Sequence, residues 1–312
     1  MKKYIIPFIT IIWVFYSCES FLPESKLDAD LTEAQASVSY SRLRDQGLAI
    51  FGQIPQGYDQ IDGAMLASAT DESDYAVLNS EIDRFNNGSW SQYNNPDDQW
   101  NTNYRGVRLA NLFLKNSTGY EHIIFRDTTK QTQKNSYYEQ CADLEWLRNE
   151  ANVLKAYFYF ELIKRYGGVP LIKDLVMPED QVNIPRSSYD EVMEYIIELI
   201  DGAIPNLQTD WRSYKSTSFG RVDKGMAMAL KARALLYWAS PLNNLTNDKS
   251  RWEAAAKAAH DLIIYGKYSL ETSGYSALFL GAKSHQSSET IFARMTGSNN
   301  APEAKNFPVA TD

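Results

Sequence analysis

Apolar residues recur every three to four positions along most of the chain, a spacing typical of amphipathic α-helices packed on a core. The longest such stretch covers residues 139–166. Gly167 and Gly168, followed by Pro170, end it as a left-handed C-cap and a helix breaker would. The pattern predicts a mainly α-helical protein. The apolar face of the long helix would carry Leu144, Leu147, Ala151, Leu154, Phe158 and Leu162.

Capping signals predict further helices on both sides of this stretch. The predicted helices cover residues 32–51, 95–114, 188–204, 223–239 and 250–266. Four of them have start signals, which are Thr32 with Gln35, Asn95 with Pro96, Ser188 with Glu191, and Ser250 with Glu253. On this interpretation Asp97 and Asp98 lie in the first turn of a helix, where the helix dipole favours a negative charge.

Residues 52–95 show neither the helical period nor the alternation of a β-strand. The segment is rich in Gly, Asn, Asp, Ser and Pro. Long ordered loops in compact proteins are often functional. We therefore expect a long irregular segment that carries part of the functional site.

The helices alternate in a way that indicates stacked pairs. Leu-Lys-Ala at residues 154–156 recurs at residues 230–232, each time beside an aromatic or aliphatic run. Repeated helix-turn-helix units resemble tetratricopeptide repeats, here with long irregular insertions and little β-structure. An ordinary helical bundle would show the same periodicity, so the pattern leaves both architectures open.

The N-terminus has the features of an export signal. Lys2 and Lys3 precede an apolar run over residues 4–16, which is shorter than the roughly 20 residues that span a bilayer. Ser17 followed by Cys18 resembles a bacterial lipobox, in which cleavage leaves a lipid-bearing cysteine. We expect a signal peptide at 1–17, lipid attachment at Cys18, a tether at 18–31 and one folded domain at 32–312. An ordinary signal with an incidental cysteine remains the alternative.

The net charge bears on the kind of binding partner, and the cysteine content bears on disulfide formation. With 31 Lys and Arg against 39 Asp and Glu, the net charge is −8, which argues against a nucleic-acid partner. If Cys18 carries lipid, Cys141 is the one other cysteine and no intrachain disulfide forms. Cys141 then fits a small buried apolar residue.

Enzymatic motifs are absent from the sequence. The three histidines, His122, His260 and His285, are scattered without metal-ligand spacing, and neither a nucleophile elbow nor a phosphate-binding loop occurs. We therefore expect a protein without catalytic residues, bound metal or cofactor. The many loop carboxylates do not single out the pair that a glycosidase needs.

Aromatic residues among polar ones make the loop before residue 100 the candidate binding site. Aromatic rings stack on the apolar faces of sugars, while Asn, Asp and Arg hydrogen-bond the hydroxyl groups. Trp100 fits the helical stripe and is expected in the core. The predicted ligand-binding residues are Asp74, Tyr75, Trp90 and Tyr93, with Trp211 from the polar loop at 209–218.

Several segments, in the same order, resemble the SusD/RagB family. They are residues 154–171, 220–237, 252–259, 268–270 and 289–292, together with the Cys18 region through residues 21–23. The resemblance implies a lipid-anchored outer-membrane protein of Bacteroidetes that faces outward, binds a glycan and delivers it to a SusC-like TonB-dependent transporter. Members of the family usually continue beyond the point where this chain stops, so we expect a partial sequence.

The function classes that remain open differ in their ligand. A peptide-binding member of the same family and a tetratricopeptide-type envelope scaffold without a nutrient ligand are the alternatives to glycan capture. A glycoside hydrolase on a helical body is disfavoured because no motif selects its acid and base.

Overall fold

The protein is described from a computed structural model, which covers residues 39–55, 57, 61–124, 129–177, 183–214, 218–280 and 284–295. Helices dominate, as predicted, and the described residues contain isolated β-bridges but no β-sheet. The helices are α1 (Tyr40–Ala49), α2 (Asp83–Asn86), α3 (Trp100–Asn116), α4 (Tyr120–Ile123), α5 (Gln131–Tyr166), α6 (Tyr189–Ala203), α7 (Trp211–Tyr214), α8 (Lys224–Ala239), α9 (Lys249–Ile264) and α10 (Tyr275–Leu280).

Helix α5 is the central element of the fold. It has 36 residues and so extends about 54 Å at ~1.5 Å per residue. Helices α1, α3, α6 and α8 all pack against it. Its predicted apolar face is confirmed, since Leu144, Leu147 and Phe158 are buried, and Cys141 is half-buried against the same core.

Neighbouring helices along the chain pack as pairs, as the repeated pattern predicted. Helix α6 packs on α5, and α9 packs on α8. A second, smaller core of Leu235, Ala239, Ala255 and Ala258 joins α8 to α9. Small residues at this contact allow the two helix backbones to approach closely. The fold is therefore a set of paired helices built around α5.

The helix ends test the capping predictions one by one. Ser188 and Glu191 form the predicted capping box of α6, and Asp223 caps α8. Helix α9 is capped by Asp248 rather than by the predicted Ser250, because the Asp248 carboxylate accepts the Ser250 N–H at 2.9 Å. The Asx interaction starts the helix two residues earlier than expected.

Helix α3 begins later than predicted. Its first residue is Trp100, whereas the sequence indicated a start at Asn95 and Pro96. The Asn95 side chain accepts the Asp97 N–H at 3.0 Å, which forms a local turn in place of a helical one. Asp97 and Asp98 therefore lie before the helix and not in its first turn.

Glycine allows α3 and α5 to meet closely. A Cβ atom on Gly106 would lie 2.5 Å from a ring carbon of Phe158, which is fully buried. Gly225 makes a similar approach to Tyr268 at the start of α8. At both positions a larger residue would push the neighbouring ring out of place.

A buried ion cluster ties α5 to the segment before α8. The Arg221 guanidinium donates to both oxygens of Glu150, at 2.7 to 3.1 Å, and to Asp143. Tyr40 of α1 donates to Asp143 at 2.7 Å. Burial raises the pKa of Glu150 to about 7, although the Arg221 charge acts in the opposite direction. Asp143 thus connects α1 and Arg221 to α5, so the cluster joins three elements.

Two further observations concern the membrane. Among the described residues, no helix combines the length and apolar content that crossing a bilayer requires. The predicted signal peptide at 1–17, the lipid attachment at Cys18, the tether at 18–31 and the Thr32–Gln35 capping box lie outside the described residues.

Candidate functional site

The segment from residue 61 to 99, here called the aromatic loop, is irregular as predicted and has a small core of its own. Ile61, Ala64 and Ile82 are buried together, and Tyr75 and Phe85 pack against them. Only short elements occur in it: a 3-10 turn at Leu66–Ala69 and helix α2. A local apolar core of this kind holds a loop in one conformation without regular secondary structure.

Polar contacts reinforce the aromatic loop from within. Asp62 accepts the Ser80 hydroxyl at 2.8 Å and the Glu81 N–H at 3.2 Å. The Asn86 side chain donates to the Ser68 carbonyl at 2.7 Å. Each of these bonds joins two parts of the loop that are 18 or 19 residues apart in sequence. These hydrogen bonds thus connect distant parts of the aromatic loop to each other.

The end of the aromatic loop is fixed to the C-terminal end of α5. Arg165 forms a 2.7 Å ion pair with Asp97. The Tyr166 hydroxyl donates to Asp98 at 2.7 Å and accepts the Gln99 N–H at 2.8 Å. Burial raises the pKa of Tyr166 to about 12, so it stays protonated as the donor. Both contacts place the loop against a rigid helix.

Trp100 completes this attachment from the start of α3. Its ring meets the Tyr166 ring edge-on, with centroids 5.2 Å apart, and packs against the main core. Trp100 is thus half-buried against the main core, as its place in the helical stripe indicated, and does not face the solvent with Trp90 and Tyr93.

Trp90 and Tyr93 are the exposed aromatic residues of the loop. Trp90 is 57% exposed and Tyr93 is 91% exposed. The Phe85 ring packs against the Trp90 ring, with the two centroids 5.0 Å apart. Tyr93 lies in a tight turn that two backbone hydrogen bonds between Ser91 and Asn94 close, at 3.0 and 3.2 Å. Both predicted residues thus present their rings to solvent from an ordered backbone.

Asp74 and Tyr75 lie nearby in the same loop. Tyr75 is half-buried on the small core that also holds Phe85, and Phe85 in turn contacts Trp90. Asp74 is exposed, and one of its oxygens accepts the Tyr75 N–H at 2.8 Å. Phe85 therefore links Tyr75 to Trp90, and Asp74 adds an exposed carboxylate at the edge of this group.

Trp211 does not belong to this group, which corrects the expectation of an exposed ring in a polar loop. It begins helix α7 and is only 2% exposed. Its indole N–H donates to the Val222 carbonyl at 2.9 Å, and the Arg221 guanidinium carbon lies 4.0 Å from its ring centroid. Because the residues around Trp211 in the sequence are polar, the sequence did not indicate that its ring packs over Arg221 of the ion cluster.

Sequence reasoning missed Phe85 and Tyr166 as supports of the site. The partner of Tyr166 is 68 positions away along the chain, and no local pattern reports such a contact. Phe85 lay in the segment already singled out, but nothing in the sequence marked it as the ring beneath Trp90. In the part of the chain that the structure describes, no group of His, Cys, Asp or Glu side chains could hold a metal ion.

The aromatic loop combines exposed aromatic rings with polar side chains. Two exposed rings offer flat apolar surfaces, and the neighbouring residues Asn87, Ser89 and Asn94 carry amide and hydroxyl side chains. Surfaces of this kind suit a ligand with apolar faces and many hydroxyl groups.

Comparisons with known proteins identify the family of the chain. A family model for SusD-like proteins, described as starch-binding and associating with the outer membrane, matches residues 21–237. A curated SusD-like protein of Formosa agariphila is 32% identical over 132 residues, which are 42% of this chain and 22% of that protein.

Solved structures show the same fold. A SusD-like protein of Bacteroides fragilis has a TM-score of 0.61 at 25% identity, covering 84% of this chain and 46% of its own. A SusD-like carbohydrate-binding protein of the same species has a TM-score of 0.63 at 18% identity, covering 82% and 46%.

The chain thus spans about half the length of these solved relatives. The family comprises binding proteins rather than enzymes, which agrees with the lack of catalytic motifs in the sequence. The match over most of the chain and the shared helical fold lead to one conclusion. The chain belongs to the SusD-like family, whose family model is described as starch-binding and associating with the outer membrane.

Proposed function

We propose that this protein captures an oligosaccharide at the cell surface with the rings of Trp90 and Tyr93 and delivers it to a SusC-like TonB-dependent transporter. The observation that carries the proposal is the exposure of these two rings on a loop that its own small core and Arg165 hold in place. The carbohydrate binding named for the relative from Bacteroides fragilis points to the same ligand class.

The two rings would act as stacking platforms for sugar rings. The Trp90 ring already packs on Phe85, so it loses little conformational entropy when it binds. Asp74 and Asn94 lie in the same loop and would hydrogen-bond sugar hydroxyl groups. Contacts at a surface of this kind are few, which suits a protein that must release its ligand to a partner.

Isothermal titration with a panel of oligosaccharides tests the ligand class. We expect binding to at least one glycan, and at least tenfold weaker binding when Trp90 and Tyr93 are both changed to Ala. Tyr138→Ala is the matched control, since Tyr138 is exposed on α5 outside the loop. Heat with peptides but with no glycan would favour peptide uptake instead, and no ligand of either kind would favour the scaffold.

A lipid on Cys18 would anchor the protein in the outer membrane, facing outward. The basic residues, the short apolar run and the Ser17–Cys18 pair of the sequence support this anchor. Metabolic labelling with a fatty-acid analogue should mark the wild-type protein but not Cys18→Ala. Equal labelling of both proteins would contradict the anchor.

The transporter would dock on the paired helices. Supporting this, the corner between α8 and α9 exposes apolar residues, among them Leu242 at 83% and Leu245 at 89%. Exposed apolar patches commonly mark protein interfaces. Changing Leu242 and Leu245 to Glu should abolish co-purification with the transporter, whereas Leu78→Glu in the aromatic loop should preserve it. Unchanged co-purification of the double variant would exclude this corner.

A further inference from the structure

A cavity of about 440 Å³ lies beside the buried ion cluster, away from the aromatic loop. Residues of α1, α5 and α7 form its walls, and Arg221 lies at its base. Its volume lies within the range of roughly 300–1,000 Å³ that small-molecule sites occupy. The side chains that matter for its chemistry are Arg44, Ser136, Glu139, Trp146, Tyr214 and Arg221.

The cavity and the aromatic loop lie at opposite ends of α5. The loop is attached at Tyr166, and Trp146 of the cavity precedes that residue by 20 positions. A rise of ~1.5 Å per residue separates the two positions by about 30 Å. One sugar ring therefore cannot contact both sites.

Three aromatic rings form one wall of the cavity. Trp146 meets Trp211 and Tyr214 nearly at right angles, with centroids 5.5 and 5.1 Å apart. Trp211 meets Tyr214 in the same way at 5.7 Å. Trp211 is buried and hydrogen-bonded, whereas Tyr214 is 51% exposed. The wall is thus an aromatic surface fixed from behind by Trp211.

The base of the cavity is held in place by its own contacts. Arg221 is bound to Glu150 and Asp143 and lies over the Trp211 ring. Asp143 also accepts the Tyr40 hydroxyl and lies 3.3 Å from the Arg44 Nε atom. A ligand would therefore meet a pre-organised surface and would not have to break these contacts to enter.

Polar groups with unused hydrogen-bonding capacity complete the lining. Within the described residues, the terminal nitrogens of Arg44, the carboxylate of Glu139 and the indole N–H of Trp146 make no hydrogen bond. They comprise two donors and one acceptor beside an aromatic wall. A neutral ring with hydroxyl groups, which both donate and accept, matches this set.

The charges of the lining also favour a neutral ligand. Glu139, Asp143 and Glu150 lie around the cavity together with Arg44 and Arg221, so the two signs nearly balance. An anionic ligand would meet the carboxylates and a cationic ligand would meet the guanidinium groups. A neutral saccharide avoids both of these repulsive contacts.

We propose that this cavity is a second saccharide site, in which the exposed Tyr214 ring stacks on a sugar ring, the nearly perpendicular Trp146 ring contacts the edge of that sugar, and Arg44 and Glu139 bind its hydroxyl groups. The ligand class rests on the proposed function, but none of these residues belongs to the aromatic loop. A glycan long enough to reach both sites would bind more tightly than either site alone permits.

The test is the number of trisaccharide molecules bound per protein, because a trisaccharide is too short to span the roughly 30 Å between the two sites. Maltotriose, cellotriose, laminaritriose and xylotriose are titrated calorimetrically into the wild type, the double variant Trp90→Ala with Tyr93→Ala, Tyr214→Ala, and the control Tyr138→Ala. Two further proteins carry Tyr214→Ala or Glu139→Gln in addition to the Trp90/Tyr93 double change. Saturation-transfer NMR provides a second readout of binding. Glu139→Gln accompanies Tyr214→Ala as an independent variant, because Glu139 is exposed and its change leaves the ring wall intact.

We expect two molecules per wild-type protein and one in each variant of a single site. Glu139→Gln should weaken the remaining binding of the Trp90/Tyr93 variant at least tenfold. If the Trp90/Tyr93 variant still binds sugar and the added Tyr214→Ala change removes that binding, the second site is supported. This holds even if the aromatic loop proves not to bind. If the Trp90/Tyr93 variant binds nothing while the wild type binds one molecule, the second site is refuted and the proposed function stands. If no glycan binds the wild type, both proposals fall.

Discussion

Replacing Arg221 with Met removes the guanidinium that holds the buried ion cluster together. Arg221 makes three hydrogen bonds to Glu150 and one to Asp143. Glu150 has 0% exposure, so water does not replace the lost donor. Methionine retains much of the volume of the arginine stem. The variant therefore isolates the effect of the lost charge and hydrogen bonds.

The size of the effect depends on pH because burial raises the pKa of Glu150 from 4.5 to about 7. An acid with a raised pKa stabilises the fold below its ordinary pKa, and that contribution is lost as the pH rises through the raised value. The two pKa values differ by about 2.5 pH units, and each unit corresponds to roughly 1.4 kcal/mol. Raising the pH through this interval should therefore lower the free energy of unfolding of the wild type by on the order of 3 kcal/mol.

In the Met variant the attraction of Arg221 no longer lowers the pKa of Glu150, so that pKa rises further. At pH 5 the carboxyl group is protonated in either folded protein, and the variant should lose about 1–3 kcal/mol from an unsatisfied buried group. At pH 8 a buried carboxylate without its partner should cost about 3–5 kcal/mol. The variant should thus lose more stability at pH 8 than at pH 5.

Urea unfolding at both pH values measures these free energies, provided that the slope against urea concentration is unchanged. Arg233→Met is the matched control, since Arg233 is exposed on α8 and should change stability by less than about 0.5 kcal/mol. A loss for Arg221→Met that is equal at the two pH values would refute the role assigned to Glu150.

Two further pairs of variants test the packing and the caps by urea unfolding. Gly106→Ala should gain about 1 kcal/mol in helix propensity and lose about 1–3 kcal/mol by displacing the Phe158 ring, so its midpoint should fall. Gly202→Ala, with no atom within 4 Å of the new Cβ, should not lower it. Ser188→Ala should cost about 0.5–2 kcal/mol, whereas Ser250→Ala should be nearly neutral; the reverse order would contradict the assigned caps.

Local signals in the sequence predicted much of the scaffold. The capping box at Ser188 and the end of α5 at Gly167 were both predicted correctly, because the few residues that form them are adjacent in sequence. The start of α5 at Gln131 was missed by eight positions from residue 139, since residues 131–136 are polar and carry no apolar stripe. Tertiary packing of the later turns extends this helix backwards.

The candidate site was predictable only in part. Exposure of Trp90 and Tyr93 followed from their place among polar loop residues, and that reasoning was correct. The same reasoning failed for Trp211, because the carbonyl of Val222 and the guanidinium of Arg221 that enclose it come from a later segment of the chain. Contacts between distant segments decide whether a loop ring is exposed, and sequence neighbours do not report them.

The most direct test of the account follows the indole signals of the protein while sugar is added. The chain has seven tryptophans, of which Trp13 lies in the predicted signal peptide, so ¹⁵N-tryptophan labelling of the mature protein should give six indole N–H signals. Trp90→Phe identifies the signal from Trp90. If Trp90 stacks on the ligand, its signal should shift progressively as a binding hexasaccharide saturates the protein. A Trp90 signal that stays in place while calorimetry shows the same sugar bound would contradict the central claim.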